Sequence, residues 1–356
     1  MCNWKKYSKF ISLKGKNYSS QDIFNYAEKS SGHFEKSIFD FLKQWFSDED
    51  HIIQKTSGTT GKPREIKLSK NLMAFSAMNT GNFFRLQGND KCFLCLPADH
   101  IAGKMMLVRS IVHHLDLWYE EPSARPIPDQ QYAFSAMTPM QVENIIADDK
   151  KALNNIKTLI IGGAPVGKNL LNIIQDVESE IWETYGMTET ASHIALRKLN
   201  GHDRSDHFTV LDGISIKTNH QSQLIVSIEA MNILDLVTND IAELYGDTEF
   251  RWLGRTDNVI NSGGKKLQAE EIEKKLKSVF TQEFFIFPIK HPVYHEVPAI
   301  VFESSPFDPG DVFVKILEKY EIPSKVFFVD KFIRTASNKI NRNSTISMID
   351  TGRFIE

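Results

Sequence analysis

Two short apolar runs set the frame for this chain. Cys92-Phe93-Leu94-Cys95-Leu96, ended by Pro97, and Ile156-Lys157-Thr158-Leu159-Ile160-Ile161, ended by Gly162-Gly163, have the length and texture of strands buried on both faces. Such strands need helices above and below, because neither face can be left to water. The chain supplies them: residues 71–84, 105–114 and 166–177 read as helices on their apolar spacing. Strands alternating with helices argue for α/β layers with largely parallel pairing. Residues 1–50 also read as helical, since Ile23, Phe24, Tyr26 and Ala27, then Phe34, Ile38, Phe41, Leu42 and Trp45, follow helical spacing up to Asp48-Glu49-Asp50. Ile52-Ile53-Gln54-Lys55 follows as a short strand candidate.

Beyond residue 208 the texture changes. Short strand candidates at 213–217, 223–228 and 251–253, separated by polar turns, suggest an antiparallel or barrel-like piece. A boundary is expected at Gly254-Arg255-Thr256-Asp257-Asn258. After it come a charged amphipathic helix (268–279), strand candidates at 284–289, 299–303 and 325–329, and a helix at 312–320, together a compact α+β unit. The full length of 356 residues, at roughly 150 per domain, allows two to three domains, so a large domain followed by a small one fits.

Charge and cysteine content exclude several classes. The 42 basic and 45 acidic side chains leave a formal −3, which gives no footprint for binding nucleic acid or coating an anionic membrane. No apolar run approaches the ~18 residues of a membrane helix, so no membrane insertion is expected. Cys2, Cys92 and Cys95 are too few for a disulfide scaffold, and the polar N-terminus shows no secretory leader, which points to a reducing, cytoplasmic setting. As i and i+3 on a strand, Cys92 and Cys95 face opposite sides, and they read as core residues rather than zinc ligands.

Four segments carry chemistry. Thr56-Ser57-Gly58-Thr59-Thr60-Gly61-Lys62-Pro63-Arg64 combines glycines that let a backbone approach an anion, hydroxyl donors, and two cations, which suits a polyphosphate. It is not a Walker A loop, because Gly61-Lys62 runs into Pro63. Tyr185-Gly186-Met187-Thr188-Glu189-Thr190 places a carboxylate beside hydroxyls, a set that can hold Mg²⁺ or simply start a helix. The third, from Leu253 to Leu267, contains Ser262-Gly263-Gly264-Lys265 and reads alone as a Gly-rich linker. The fourth, Arg334-Thr335-Ala336-Ser337-Asn338-Lys339-Ile340-Asn341-Arg342, reads alone as a basic, solvated tail.

In this order, the four segments resemble the signature motifs of the adenylate-forming superfamily, which includes acyl-CoA synthetases, aryl-CoA ligases, peptide-synthetase adenylation domains and luciferases. The resemblance runs from residue 54 to residue 342. It implies an α/β fold with a large N-terminal domain of layered sheets and helices (1–254), a hinge (255–258) centred on Asp257, and a small mobile C-terminal α+β domain (259–356). It also implies a two-step reaction in which a carboxylic acid and ATP give an acyl-adenylate and pyrophosphate, and a thiol such as coenzyme A then takes the acyl group. Thr56, Ser57, Gly58, Thr59, Thr60, Gly61 and Lys62 resemble the phosphate loop, and Gly162, Gly163 and Ala164 the turn lining the adenine pocket. Tyr185 and Gly186 belong to the same ATP-binding set; Asp240 matches a ribose-binding Asp and Arg255 an Arg near ribose and phosphate. Thr188 and Glu189 match the catalytic hydroxyl and the Mg²⁺-associated Glu. Lys339 matches the lysine that stabilises charge on the α-phosphate. Ser262, Gly263, Gly264 and Lys265 match the face that closes over the pantetheine channel of coenzyme A. Arg64, Asn239 and Asn338 depart from the more usual Lys, Gly and Gly, and Asn tolerates the same left-handed backbone as Gly. Only 55 residues precede Thr56, so the resemblance implies an enzyme reduced at its N-terminal end.

For the acid, Leu96-Pro97-Ala98-Asp99-His100-Ile101-Ala102-Gly103 resembles the segment whose His walls the acyl pocket, which gives His100 that role. Together with Ile101 to Met106 and Tyr185 to His193, this is similar to the o-succinylbenzoate–CoA ligase group of menaquinone biosynthesis. That acid has a second carboxylate, for which Lys104, Arg109, Thr190, Ser192 and His193 are candidates; on an apolar helix Arg109 reads first as half of a structural ion pair. Two alternatives stay open: another aryl- or acyl-CoA ligase or carrier-protein-charging enzyme, and a non-catalytic nucleotide-binding scaffold. The expected partners are small molecules, and a homo-oligomer is compatible with the sequence.

Overall fold

The computed structural model of the protein describes residues 3–7, 9–27, 32–56, 64–164, 166–334 and 340–350. The chain forms two compact units. One holds Met1–Ser215 with Ser227–Leu234, and the other Ile216–Val226 with Asp235–Glu356. The expected hinge, 255–258, lies inside the second.

The first unit runs β1 (Phe10–Leu13), β2 (Lys16–Ser19), α1 (Ser20–Ala27), α2 (His33–Phe46), β3 (His51–Thr56), β4 (Arg64–Ser69), α3 (Lys70–Phe84), β5 (Lys91–Leu94), α4 (Ile101–His113), β6 (Asp116–Tyr119), β7 (Tyr132–Met137), α5 (Pro139–Asp149), β8 (Ile156–Ile161), α6 (Lys168–Ile173), β9 (Glu180–Gly186), β10 (His193–Lys198) and β11 (Phe208–Val210). Its centre is parallel, in the order β6-β5-β7-β8-β9. β10 and β11 continue the sheet antiparallel. Phe93, Leu159, Ile161 and Ile181 from the strands pack against Val142, Ile145, Leu170 and Ile174 of α5, α6 and its end, so the runs that look buried on both faces are buried. The crossover helix α5 starts at a side-chain cap. Thr138 and Gln141 form a reciprocal capping box on α5, with Pro139 in its first turn.

In the first unit, the expectations for two stretches need correction; in the second, the helices expected over 268–279 and 312–320 are shorter, Ala269–Leu276 and Val312–Ile316. Residues 1–50 are not helical throughout: β1 and β2 form an antiparallel hairpin around Lys14-Gly15, and β1 extends the sheet by parallel pairing with β6. Lys14 and Gly15 both take positive φ, the geometry of a two-residue hairpin turn. Asp116 secures it, accepting from Ser12 Oγ (2.9 Å), Gly15 N (2.8 Å) and Trp118 Nε1 (2.7 Å). The helix expected over 166–177 spans only Lys168–Ile173; Ile174 and Val177 stay buried, but in the turns that follow.

Strands β12 (Ser215–Thr218), β13 (Gln223–Ile228), β14 (Ile233–Tyr245) and β15 (Glu249–Arg255), most of whose residues fall in the second unit, are successive neighbours. The short turn Thr256–Asn258 leads into a five-stranded sheet. It is built from β16 (Val259–Ser262), β17 (Lys265–Gln268), β18 (Phe284–His291), β19 (His295–Glu303) and β20 (Lys325–Val329), with α7 (Ala269–Leu276), α8 (Val312–Ile316) and α9 (Arg342–Asp350). Alternation along β18 and β19 makes two cores. Phe284, Ile286, Ile300 and Phe302 face Ile272, Leu276 and Phe313, whereas Phe285, Phe287, Ala299 and Val301 face Phe332 and Ile349. Among the described residues no helix is long and apolar enough to cross a membrane.

Candidate active site

Parallel strands place their C-terminal ends along one edge of a sheet, where α/β proteins bind ligands. Here that edge carries Pro97 to His100 after β5, Gly162-Gly163-Ala164 after β8, and Gly186 to Thr190 after β9. A Cβ on Gly162 would lie 2.3 Å from Thr184 Oγ1, so β8 and β9 approach closely where the two segments meet, and Gly163 takes φ +87°.

The Glu189 turn is tightly specified. A Cβ on Gly186 would lie 2.3 Å from Ser192 O and 2.5 Å from His193 Cα, so the chain folds back onto itself there. Thr188–Thr190 form one 3₁₀ turn rather than the start of an α-helix. Thr190 is buried, and its hydroxyl lies within hydrogen-bond distance of Met187 O (3.0 Å) and Ser192 O (2.8 Å), donating its single proton to one of them at a time. Ala191, fully buried, is held at φ +63°, a conformation disfavoured for a residue with a Cβ and characteristic of functional turns. The turn leaves Thr188 half-buried and Glu189 exposed; among the described residues no hydrogen bond or ion pair engages the Glu189 carboxylate. Tyr185 of β9 rests against Phe208 of β11, across the intervening β10.

Beside this turn, α4 supplies a buried cation. Arg109 is 2 % exposed, and its Nη2 donates to Ser192 Oγ at 3.0 Å and faces His193 Nδ1 at 3.5 Å. Nη1 meets the Met106 sulfur at 3.7 Å, and Nε is buried with no hydrogen-bond partner among the described residues. No carboxylate pairs with it among the described residues, which removes the structural ion pair as its explanation. Burial alone pulls its guanidinium down to about 9, still charged at neutral pH. Arg109, Ser192 and His193 thus come together. Lys104 does not join them: its buried Nζ donates to Gln54 Oε1 (2.7 Å), and Gln54 Nε2 donates to Asp99 O (3.3 Å). His100 is exposed at the start of α4. Gly103 lets that helix lie against Pro97, since a Cβ would come within 2.2 Å of Pro97 O.

His193 is held neutral, because burial and the nearby Arg109 charge lower its pKa well below 6.5. The unfolded chain takes up a proton near pH 6.5 that the folded chain refuses, so this contribution is present above pH 6.5 and is lost as pH falls below it. Burial shifts His113 the same way. Thermal melts should lose up to about 1.4 kcal/mol per pH unit per group between pH 6.5 and about pH 5.5. A His193→Gln variant should show a shallower slope, and an unchanged slope would rule out His193 as a source.

The remaining residues divide by unit and by coverage. Thr56 pairs with Arg64 at the open end of the β3–β4 ladder. Ser57, Gly58, Thr59, Thr60, Gly61, Lys62 and Pro63 between them lie outside the described residues, as does Lys339. In the second unit Asp240 and Arg255 face one another across β14 and β15. Asp240 Oδ1 accepts from Trp252 Nε1 (3.1 Å) and lies 3.7 Å from Arg255 Nη1; Arg255 Nη2 donates to Asp257 (2.9 Å). Ser262 and Lys265 close a hairpin whose tip, Gly263 and Gly264, has φ +57° and +83°, with the Tyr294 ring against Gly263. Lys265 Nζ sits 4.3 Å over the Tyr320 ring. The described ends of the fourth segment are not solvated as a tail would be. Arg334 pairs with Glu283 and Glu303, and Arg342 with buried Glu273 at 2.9 Å, on either side of an Arg334↔Ile340 bridge.

Sequence reasoning missed Thr80, on α3, whose buried hydroxyl lies 3.0 Å from His193 Nε2. The available signal was a hydroxyl residue in the middle of an apolar helix.

The profile of the AMP-binding enzyme family matches residues 15–221, and the chain belongs to that family, which makes it an adenylate-forming enzyme. It is similar to the 2-succinylbenzoate–CoA ligase of Bacillus licheniformis, 25% identical over 332 residues, covering 83% of this chain and 70% of that one. Among solved structures it is similar to an acyl-CoA synthetase (AMP-forming)/AMP-acid ligase II-like protein from Dyadobacter fermentans (29% identity, TM-score 0.62, covering 91% of this chain and 98% of that one). It shares its fold with the o-succinylbenzoate CoA synthetase MenE of Bacillus subtilis in complex with the acyl-adenylate intermediate OSB-AMP (16% identity, TM-score 0.76, covering 96% of this chain and 97% of that one).

Proposed function

We propose that the chain is an ATP-dependent acid–CoA ligase that converts o-succinylbenzoate, ATP and coenzyme A to o-succinylbenzoyl-CoA, AMP and pyrophosphate. Arg109 carries the choice of acid. A buried guanidinium with no acidic partner among the described residues and an unsatisfied Nε needs an anion, and a second carboxylate on the substrate supplies one. A monocarboxylic fatty acid would leave that charge stranded in the apolar pocket it requires. The relatives named for this acid point the same way.

In the first step a carboxylate oxygen of the acid attacks the α-phosphorus of ATP, and the bond to pyrophosphate breaks. In the second the thiolate sulfur of coenzyme A attacks the acyl carbonyl, and AMP leaves. Gly162 to Ala164 and Tyr185-Gly186 line the adenine pocket, Asp240 holds the ribose hydroxyls, and Arg255 sits near ribose and phosphate. Thr56 to Lys62 cover the β- and γ-phosphates, Thr188 binds the α-phosphate, and His100 walls the acyl pocket. Lys339 stabilises charge on the α-phosphate. Asp257, in the turn joining the two sheets of the second unit, is the hinge, and Ser262 to Lys265 close over pantetheine after adenylation.

Glu189 fits Mg²⁺. It is one exposed carboxylate on a rigid turn beside a hydroxyl, with no cluster of three or more His, Cys, Asp or Glu among the described residues; such a site suits an ion that takes its other ligands from phosphates and water. When bound, the ion would draw charge from the phosphate oxygens. ATP and coenzyme A as substrates favour a cytoplasmic setting.

With ATP, Mg²⁺, coenzyme A and o-succinylbenzoate, purified protein should release pyrophosphate and form the thioester, read by a pyrophosphate-coupled assay and mass spectrometry. Turnover of other aryl acids but not this one would remove the substrate while keeping the class.

A further inference from the structure

We propose that Thr80, which belongs to none of the motifs, is a positioning residue for acid recognition: it sets the direction of a hydrogen-bond chain that aims Arg109. The inference rests on the reading of Arg109 as the receptor of the second carboxylate.

Thr80 lies in the middle of α3 and is fully buried. Its Oγ1 is 2.9 Å from Ser76 O and 3.0 Å from His193 Nε2. A hydroxyl has one proton, and a carbonyl can only accept. The Thr80 proton therefore goes to Ser76 O, and Thr80 Oγ1 accepts from His193 Nε2–H. With the proton of the neutral ring on Nε2, Nδ1 is a lone pair. It faces Ser192 Oγ at 3.4 Å and Arg109 Nη2 at 3.5 Å, both able to donate. Ser192 Oγ in turn accepts from Arg109 Nη2 at 3.0 Å.

All the bonds point one way, from the guanidinium through Ser192 and His193 to Thr80 and into the α3 carbonyl. The other tautomer would set a ring N–H against the Arg109 N–H and leave Thr80 Oγ1 without its donor. No carboxylate is bonded to any member of the chain among the described residues, so nothing else fixes the polarity. A methyl in place of the Thr80 hydroxyl frees the ring to exchange tautomers, and the guanidinium loses its fixed orientation.

The test is Thr80→Val, which keeps the branched shape and drops the acceptor. Steady-state kinetics are compared for o-succinylbenzoate and for 4-oxo-4-phenylbutanoate, which lacks the second carboxylate. The expected result is a rise of about tenfold in KM for the dicarboxylic acid, the usual scale for one unsatisfied buried donor, with kcat and KM for ATP unchanged. KM for the monocarboxylic analogue should stay put, and Thr80→Ser should restore wild-type behaviour. An equal rise for both acids, or no rise, overturns the proposal. Nitrogen-15 NMR of the His193 ring tests the chain without substrate. The Nε2–H tautomer is expected in the wild type and its loss in Thr80→Val; an Nδ1–H wild-type ring would refute the chain directly. A wild-type enzyme that turns over only the analogue sinks the substrate reading instead, and the tautomer measurement then decides the role of Thr80.

Discussion

Replacing Arg109 with Met should raise KM for o-succinylbenzoate by about a hundredfold, the scale of losing one desolvated charge-assisted pair, while the protein melts at the same temperature or higher. The two halves of this result come from one fact. Deleting a buried cation that has an acid partner is costly, because the partner's charge is left buried and unpaired. Arg109 has no such partner among the described residues, and Ser192 Oγ and His193 Nδ1 offer it only neutral acceptors. The folded protein carries the desolvation cost of that charge, and Met, unbranched and apolar, fills similar space among Met106 and Phe134 without it. Relief of up to a few kcal/mol is the usual range for exchanging a buried charge for packed apolar atoms. Kinetics with the acid, with ATP as a control, and a thermal melt are the measurements. An unchanged KM removes Arg109 from the acid site. A marked drop in melting temperature would make it a structural residue.

Gly186→Ala should be among the most damaging single methyls in the first unit. The added carbon would lie 2.3 Å from Ser192 O, 2.5 Å from His193 Cα and 2.8 Å from His193 N, all backbone atoms of the chain that returns beside it. His193 is paired with Gly186 across β9 and β10, so relief means opening that ladder at the point where it meets the Glu189 turn. Overpacking of this kind costs about 3 kcal/mol, and displacing Thr188 and Glu189 should lower pyrophosphate release by about a hundredfold. Gly167→Ala is the control: nothing lies within 4 Å of the added carbon, and the change should stay within about 1 kcal/mol. A Gly186→Ala protein with wild-type melting and activity would mean that the turn yields more easily than its contacts imply.

The central layer of the fold was legible because its strands are apolar on both faces. The runs at Cys92 to Leu96 and Ile156 to Ile161 announce a helix-covered parallel sheet with no help from tertiary contacts. β9 was less legible. Glu183, Thr184 and Tyr185 interrupt its apolar pattern, and Glu183 is taken up by an ion pair with Arg197 on β10. The hairpin β1–β2 was hidden for another reason: each strand has four residues, and the helical spacing of the segment after them dominates any window. At the site, residue types and order singled out Glu189, Asp240 and the Gly263-Gly264 tip as candidates. They could not show which candidates come together. Lys104 and Arg109 are five positions apart on one helix, and only packing sends the first to Gln54 and the second to Ser192. Thr80 lies more than a hundred residues from His193, a pairing with no local trace.

The union of β1 with β6 also bears on the order in which this molecule takes shape. Ser12 and Leu13 find their register partners at Asp116 and Leu117. A chain emerging from a ribosome can close the β1–β2 hairpin at once, but the hairpin has no sheet to join until residues more than a hundred positions later have appeared. Contacts of such long sequence separation form slowly, because the intervening loop must be closed before they give anything in return. β1 is therefore expected to be seated late relative to the closure of its own hairpin, and the Asp116 carboxylate, gathering Ser12, Gly15 and Trp118, is the latch that holds it.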